Sequence, residues 1–269
     1  MASWSSMPPA VRAALALAAL TAWCAGCGRV GFQREGDASA DATPPRDATP
    51  PRDGALPSLD CASRFPDALV CSGFEVEEGD YWTFESTNGI AETVSSPAHS
   101  GERALHTRVT AGSGLARAFR RHAPIGDGDE LWLRAFVYVT SPMVLSGVNV
   151  IAVEHEGSDV YGVDVNVIDE ARMQLWSEES GSFPAADSFR APLDRWFCIQ
   201  LHVQPSDTLG TIELFVEGEP IVAASDIDTL PGGDFDRLLV GLDWTDRRQA
   251  PVDVYVDDVV LGRTLVPCE

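Results

Sequence analysis

The chain has 269 residues, 45% of them hydrophobic, and a formal net charge of −22. Its 19 basic residues are all arginine and face 41 acidic ones. So acidic a chain argues against nucleic acid and polyanionic polymers as natural partners, because both need basic surface, and neutral polymers and divalent cations remain compatible.

Residues 1–26 read as an export signal. One arginine, Arg12, precedes an apolar run from Ala13 to Trp23, and small residues follow. The run is too short to span a bilayer, which takes about 20 residues. "CAGC", Cys24 to Cys27, resembles the lipobox of bacterial lipoproteins, which implies that Cys27 is lipidated and becomes the mature N-terminus. Cys24 stands where that family usually has Leu, so ordinary cleavage that discards the role of Cys27 is the alternative. Gly28 follows in place of the Asp that marks retention at the inner membrane, and the resemblance therefore implies the outer membrane of a Gram-negative envelope. Membrane contact is expected through the lipid only.

Residues 27–58 carry a tandem "DATPPR" and little that is apolar. Such a Pro-, Asp- and Ala-rich segment has nothing to bury and predicts a semi-extended tether. Four cysteines follow it, Cys61, Cys71, Cys198 and Cys268. An even number outside the cytosol predicts two disulfides, with three connectivities open.

Residues 59–269 are long enough for one substantial core. Apolar and polar residues alternate in "ELWLRAFVYV", "VYGVDVNVI", "RWFCIQLHV", "GTIELFVEG", "DRLLVGL" and "VDVYVDDVVL", with Gly, Asp, Ser and Pro between the runs. A dozen or so short strands predict an all-β domain, a two-sheet antiparallel jelly-roll β-sandwich. "LFVEGEPIV" reads as a tight hairpin at Glu217-Gly218, and a second hairpin is expected at Glu156–Asp159.

Alternation also sorts faces. Leu131, Leu133, Ala135, Val137 and Val139 go to the core, with Trp132, Arg134, Phe136 and Tyr138 opposite. Phe197, Ile199, Leu201 and Val203 pack inward, leaving Cys198, Gln200 and His202. Val163, Val165 and Val167 go in, leaving Asp164 and Asn166. One pair resists this sorting: the adjacent Asp257 and Asp258 of the last strand cannot both be ordinary surface charges.

"CSGFEVEEGDYWTF", "SPAHSGERALHTRV" and "VYVDDVVL" resemble a class of jelly-roll carbohydrate-binding modules. "DRWFCIQLHVQPSDTLGTIELFVEGEPIV" is similar to laminin-G-like and concanavalin A-like sandwiches, a superfamily that includes polysaccharide lyases and glucanases. In the binding modules the first and last strands are neighbours, and a structural calcium can lie between them. The resemblance therefore implies a calcium held by Glu75 with Asp257 or Asp258; the alternative is one solvated Asp and one that caps loop amides. The same adjacency implies that Cys268 lies near Cys71 or Cys61, with Cys198 taking the one that remains.

Catalytic signatures are thin. E-x-D-x-x-E is absent, and Glu154 and Glu156, on one strand face, sit at an expected turn. As a lyase of the resembled fold, the chain would use His202 or Tyr138 to abstract a proton and Arg134 to neutralise a uronate, although the alginate-lyase motifs are missing. "GDGDE", residues 126–130, reads as an acidic turn rather than a second calcium loop. "FRRH", residues 119–122, reads as a strand end.

A binding face is the stronger expectation. Trp132, Arg134, Phe136 and Tyr138, with Asp164, Asn166, Gln200 and His202, would offer aromatic stacking beside planar polar groups. Loops such as "SEESGSFPAADSF" covering those aromatics are the competing expectation. The sequence thus points to a tethered lipoprotein whose β-sandwich binds a poly- or oligosaccharide without catalysis. A lyase or hydrolase on the same fold is the alternative, and a structural or protein-binding envelope module is a third.

Overall fold

The structure, a computed structural model, describes residues 61–268 except 76–80, 111, 142–146, 158–161, 178, 182–183, 231, 247 and 249–250. The export signal, Cys27 and the tether lie outside the described residues.

Among the described residues a short helix α1 (Cys61–Arg64) leads into fourteen strands numbered in chain order. One antiparallel sheet runs β12 (Glu219–Ile227), β11 (Gly210–Val216), β10 (Trp196–Gln204), β6 (Leu131–Val139), β14 (Val252–Gly262), β4 (Ala104–Val109) and β3 (Gly89–Val94). A further strand, β1 (Val70–Ser72), pairs with the far half of β14, which makes eight. The second sheet has six strands: β2 (Thr83–Thr87), β5 (Gly114–Ile125), β13 (Phe235–Thr245), β7 (Val148–Glu154), β8 (Val163–Ile168) and β9 (Arg172–Ser177). From β4 to β7 the chain changes sheet at every strand, so the two layers are wound together as a jelly roll.

Each expected strand forms, and the inward faces are those that alternation assigns. Leu131, Leu133, Ala135, Val137 and Val139 of β6 meet Val163, Val165 and Val167 of β8 in one core, together with Phe197, Ile199, Leu201 and Val203 of β10. A one-residue slip would turn a whole strand's set to solvent, at about 1.5–3 kcal/mol for each large side chain, so burial holds the register. The predicted hairpin between β11 and β12 turns at Glu217 and Gly218, whose φ values of 52° and 81° suit the two-residue turn that matches strand twist.

The Asp257–Asp258 pair marks a change of partner. Up to Val256 one edge of β14 pairs with β4, and from Val259 the same edge pairs with β1. On its other edge Asp257 faces Phe136 while Val260 faces Arg134, so β14 carries one extra residue there. That is a β-bulge, with Asp258 in the left-handed region at φ 48°. The bulge lets both carboxylates withdraw from water, at 0% and 2% exposure.

The disulfides are Cys61–Cys71 and Cys198–Cys268. This corrects the expectation that Cys268 joins a first-strand cysteine. Beyond Gly262 the chain leaves the sheet and turns back over its outer face, where Gln200 Nε2 donates to the Val266 carbonyl at 2.7 Å. That return brings Cys268 to Cys198 on β10. α1 sits close enough to β1 to close its own ten-residue loop.

Candidate functional site

The predicted binding set is divided between two faces that point away from each other. Trp132, Arg134, Phe136 and Tyr138 lie on the outer face of the eight-stranded sheet, opposite His202, Gln200, Cys198 and Trp196 of β10 respectively. Asp164 and Asn166 lie on the outer face of the six-stranded sheet, because β8 belongs there. The expectation of one shared surface is therefore corrected: the sandwich core separates its two halves.

On the eight-stranded sheet the side chains engage one another. Trp132 stacks on His202 at 4.0 Å between ring centres, and His99 stacks on Phe136 at 3.5 Å. His202 is held between Glu213, at 2.7 Å, and Glu130. Arg134 is buried, with Phe65 and Phe136 rings over its guanidinium. It donates to the Asp258 carbonyl at 3.0 Å and to the Pro267 carbonyl at 3.4 Å. Burial lowers its pKa, and Asp258 opposes that shift. The cover over Arg134 and Gln200 is thus the C-terminal tail and Phe65. The segment around "SEESGSFPAADSF" runs instead along β9, with Leu175 N donating to the Pro184 carbonyl and Ala186 N to the Met173 carbonyl.

The lyase trio is not brought together. Tyr138 lies four residues from Arg134 on one strand, about 13 Å at strand rise, and His202 lies beyond Arg134 on the far side. These three side chains therefore do not meet at one point. Glu154 and Glu156 also separate: the buried Glu154 pairs with Arg237, and Glu156 with Arg121. Burial first, and Asp243 next, raise the pKa of Glu154, while Arg237 opposes them. "GDGDE" forms the acidic turn expected of it, closed by Asp129 N donating to the Gly126 carbonyl at 3.0 Å.

The residues expected to hold calcium are Asp257 and Asp258, which sit side by side near Gly73, and Glu75, two residues along the chain from it. A methyl group on Gly73 would sit 3.8 Å from Asp258 Oδ1, 3.9 Å from Asp257 Oδ1 and 3.8 Å from Glu75 Cγ. Asp257 Oδ2 accepts the amides of His99 and Ser100, at 2.9 and 3.1 Å, and its Oδ1 accepts that of Asp258 at 2.7 Å. Asp258 binds Ser100 Oγ and His99 Nδ1, both at 2.7 Å. Glu75 Oε1 accepts the Glu102 amide at 2.9 Å. Burial, then Asp258, raises the Asp257 pKa well above the carboxylate range. Among the described residues no three His, Cys, Asp or Glu side chains close around one point, so a cation here would draw on two aspartates and backbone oxygens.

The outer face of the six-stranded sheet has a different character. Register sets Trp244 of β13, Asn149 of β7, Asn166 of β8 and Gln174 of β9 in one row across four strands. The neighbouring row holds Ala152, Asp164 and Trp176. Trp176 and Trp244 are 38% and 50% exposed, while Asn149, Asp164 and Asn166 between them are recessed. Asn149 Oδ1 and Asn166 Nδ2 are buried without a hydrogen-bond partner among the described residues. Leaving such an atom unfilled costs about 1–3 kcal/mol, so a hydroxyl or water that fills it is favoured. Two aromatic platforms flanking a polar floor form the candidate site.

Sequence reading missed most of it. Gln174 and Trp176 were open to the same alternation, since "RMQLWS" puts Met173 and Leu175 inside. Trp244 was hidden by the irregular register between Val240 and Trp244.

No family model matches the chain, and no curated protein sequence matches it. Solved structures do. An endo-β-1,4-glucuronan lyase from the fungus Trichoderma reesei shares 12% identity at a TM-score of 0.57, over 73% of this chain and 96% of its own. The cellulose-induced protein Cip1 shares 14% at 0.56, over 74% and 100%. A botulinum neurotoxin type C chain, whose cell entry depends on two ganglioside molecules, shares 8% at 0.52, over 75% and 49%. Together with the strand order these likenesses define the class of fold: a jelly-roll β-sandwich, which the glucuronan lyase also has. At these identities the likeness is one of fold.

Proposed function

We propose that this protein is a non-catalytic carbohydrate-binding lipoprotein that grips glycan on the outer face of its six-stranded sheet. The observation that carries the reading is the pair of unfilled amide atoms, Asn149 Oδ1 and Asn166 Nδ2, set between exposed Trp176 and Trp244. Sugar rings present apolar faces to indoles and hydroxyls to planar amides, and this face supplies both. The shared fold of a glucuronan lyase and a ganglioside-dependent toxin supports glycan as the ligand class. Cys27 anchors the chain at the outer membrane, and the tether over 28–58 carries the sandwich clear of it; the apolar run and "CAGC" support that part.

The test mixes the full chain with pullulan, β-1,4-glucan, β-1,3-glucan, mannan and alginate on a sizing column. Co-elution with at least one intact polymer is expected. Trp176→Ala and Trp244→Ala should each weaken binding about tenfold, equivalent to about 1.4 kcal/mol. Trp132→Ala, on the other sheet, should leave affinity unchanged. A polymer that shortens, or binding lost with Trp132 and kept without Trp176, overturns the reading.

We also propose a structural calcium held by Asp257 and Asp258 and completed by backbone oxygens, with Glu75 nearby. Two buried carboxylates beside Gly73 support it, since hard oxygens of net negative charge are what calcium takes. Calcium at 1 mM excess over EDTA, roughly a hundred times a dissociation constant in the 10 μM range, would add about 2.7 kcal/mol and raise Tm by several degrees. Asp258→Asn can still accept from Ser100 Oγ, while its Nδ2 would have to donate to His99 Nδ1, and the substitution should abolish the gain. A Tm that ignores calcium in the wild-type chain refutes the site.

A further inference from the structure

We infer, on the reading that this face holds glycan, that its ligand is a neutral, extended oligosaccharide laid across β13, β7, β8 and β9, and that uronate polymers are refused. Two observations carry this, one electrostatic and one geometric.

The electrostatic one concerns the arginines of the face. Arg117 donates to Glu85 at 2.8 and 3.0 Å and to Asp243. Arg237 is taken by Glu154, and Arg121 by Glu156. Arg172 binds Asp169 at 2.9 Å and Asp187 at 3.3 Å. Each of these guanidiniums is therefore neutralised by a carboxylate of the protein. At the centre of the floor stands the carboxylate of Asp164, one row from the unfilled amides. A uronate lying there would meet like charge, and among the described residues the four arginines named above already hold carboxylates, which disfavours binding where water is partly excluded. The unfilled atoms are one acceptor and one donor, and a sugar hydroxyl can serve either. A carboxylate can serve only the donor.

The geometric one is the separation of the two indoles. Trp244 and Trp176 lie on strands three spacings apart and in adjacent rows. Strand spacing and rise place them about 14 Å apart across the strands and about 7 Å along them. No single sugar ring touches both. A chain can rest on both platforms with its middle over Asn149, Asn166 and Asp164, and linked contacts then add within one ligand.

The experiment takes a neutral hexasaccharide of the polymer that binds, its shorter homologues down to the monosaccharide, and the same polymer oxidised at C6 to the polyuronate. Calorimetric titration of the full chain should show the hexasaccharide binding at least a hundredfold more tightly than the monosaccharide. The oxidised polymer should bind at least tenfold more weakly than the neutral one. Asn166→Ala should weaken the hexasaccharide about tenfold. Asp164→Asn, which changes charge and not size, should recover affinity for the oxidised polymer, a gain that a misfolded variant cannot give. Equal or tighter binding of the oxidised polymer, or affinity independent of chain length, overturns this inference while leaving glycan binding intact. Binding to none of the polymers, neutral or oxidised, overturns the carbohydrate reading itself.

Discussion

The double variant Cys198→Ala, Cys268→Ala should lose about 4 kcal/mol of folding free energy, because its disulfide closes a loop of 70 residues. The cross-link acts mainly on the denatured chain, removing the entropy that so long a loop would otherwise keep. Losing Cys61–Cys71, which closes ten residues, should cost about 3 kcal/mol by the same relation. Urea titration measures both. The larger loss has a second component, since the disulfide pins the tail whose carbonyls accept hydrogen bonds from Gln200 and Arg134. If the two variants lose equal amounts, or the first loses under about 1 kcal/mol, the tail is held by its hydrogen bonds and the cross-link is incidental. Glycan affinity should survive the first variant, because the tail lies on the opposite side of the core from Trp176 and Trp244.

Arg134→Ala should cost about 2–5 kcal/mol, the range for emptying the site of a large buried side chain. This side chain is 1% exposed, and Asp258 and Asp257 are the charges that favour its ionised form. Its removal leaves the Asp258 and Pro267 carbonyls without that donor and frees the ring of Phe65 from the guanidinium. Arg134→Met separates the contributions, since methionine fills most of the volume with no charge. Chemical denaturation should place the Met variant between wild type and Ala. A Met variant as stable as wild type would show that the guanidinium is only packing. Unchanged glycan affinity in both variants is expected, and a binding loss in folded Arg134→Met would return the ligand to the eight-stranded sheet.

The sequence by itself determined the class of fold and the composition of the core. Period-two alternation fixes which residues of a strand share a face, and burial of one face makes that assignment robust. Hence the inward sets of β6, β8 and β10 are those alternation predicts, and the turn at Glu217-Gly218 follows from local backbone preference. The paired aspartates of β14 announced an irregularity, since adjacent residues of a regular strand cannot share an environment.

Only the tertiary structure decided which outward faces belong together. Alternation is a property of one strand, whereas membership of a sheet depends on hydrogen bonds to strands far away in sequence. Asp164 and Asn166 could not be separated from Trp132 and His202 until β8 was found beside β7 and β9, and β6 beside β10. For the same reason Cys268 could not be assigned to Cys198, because that pairing depends on a tail that turns back after the last strand. Trp244 reaches the site through a register irregularity, and bulges carry no periodic signal. Local pattern therefore specified what is buried, and long-range pairing specified which residues a ligand can meet at once.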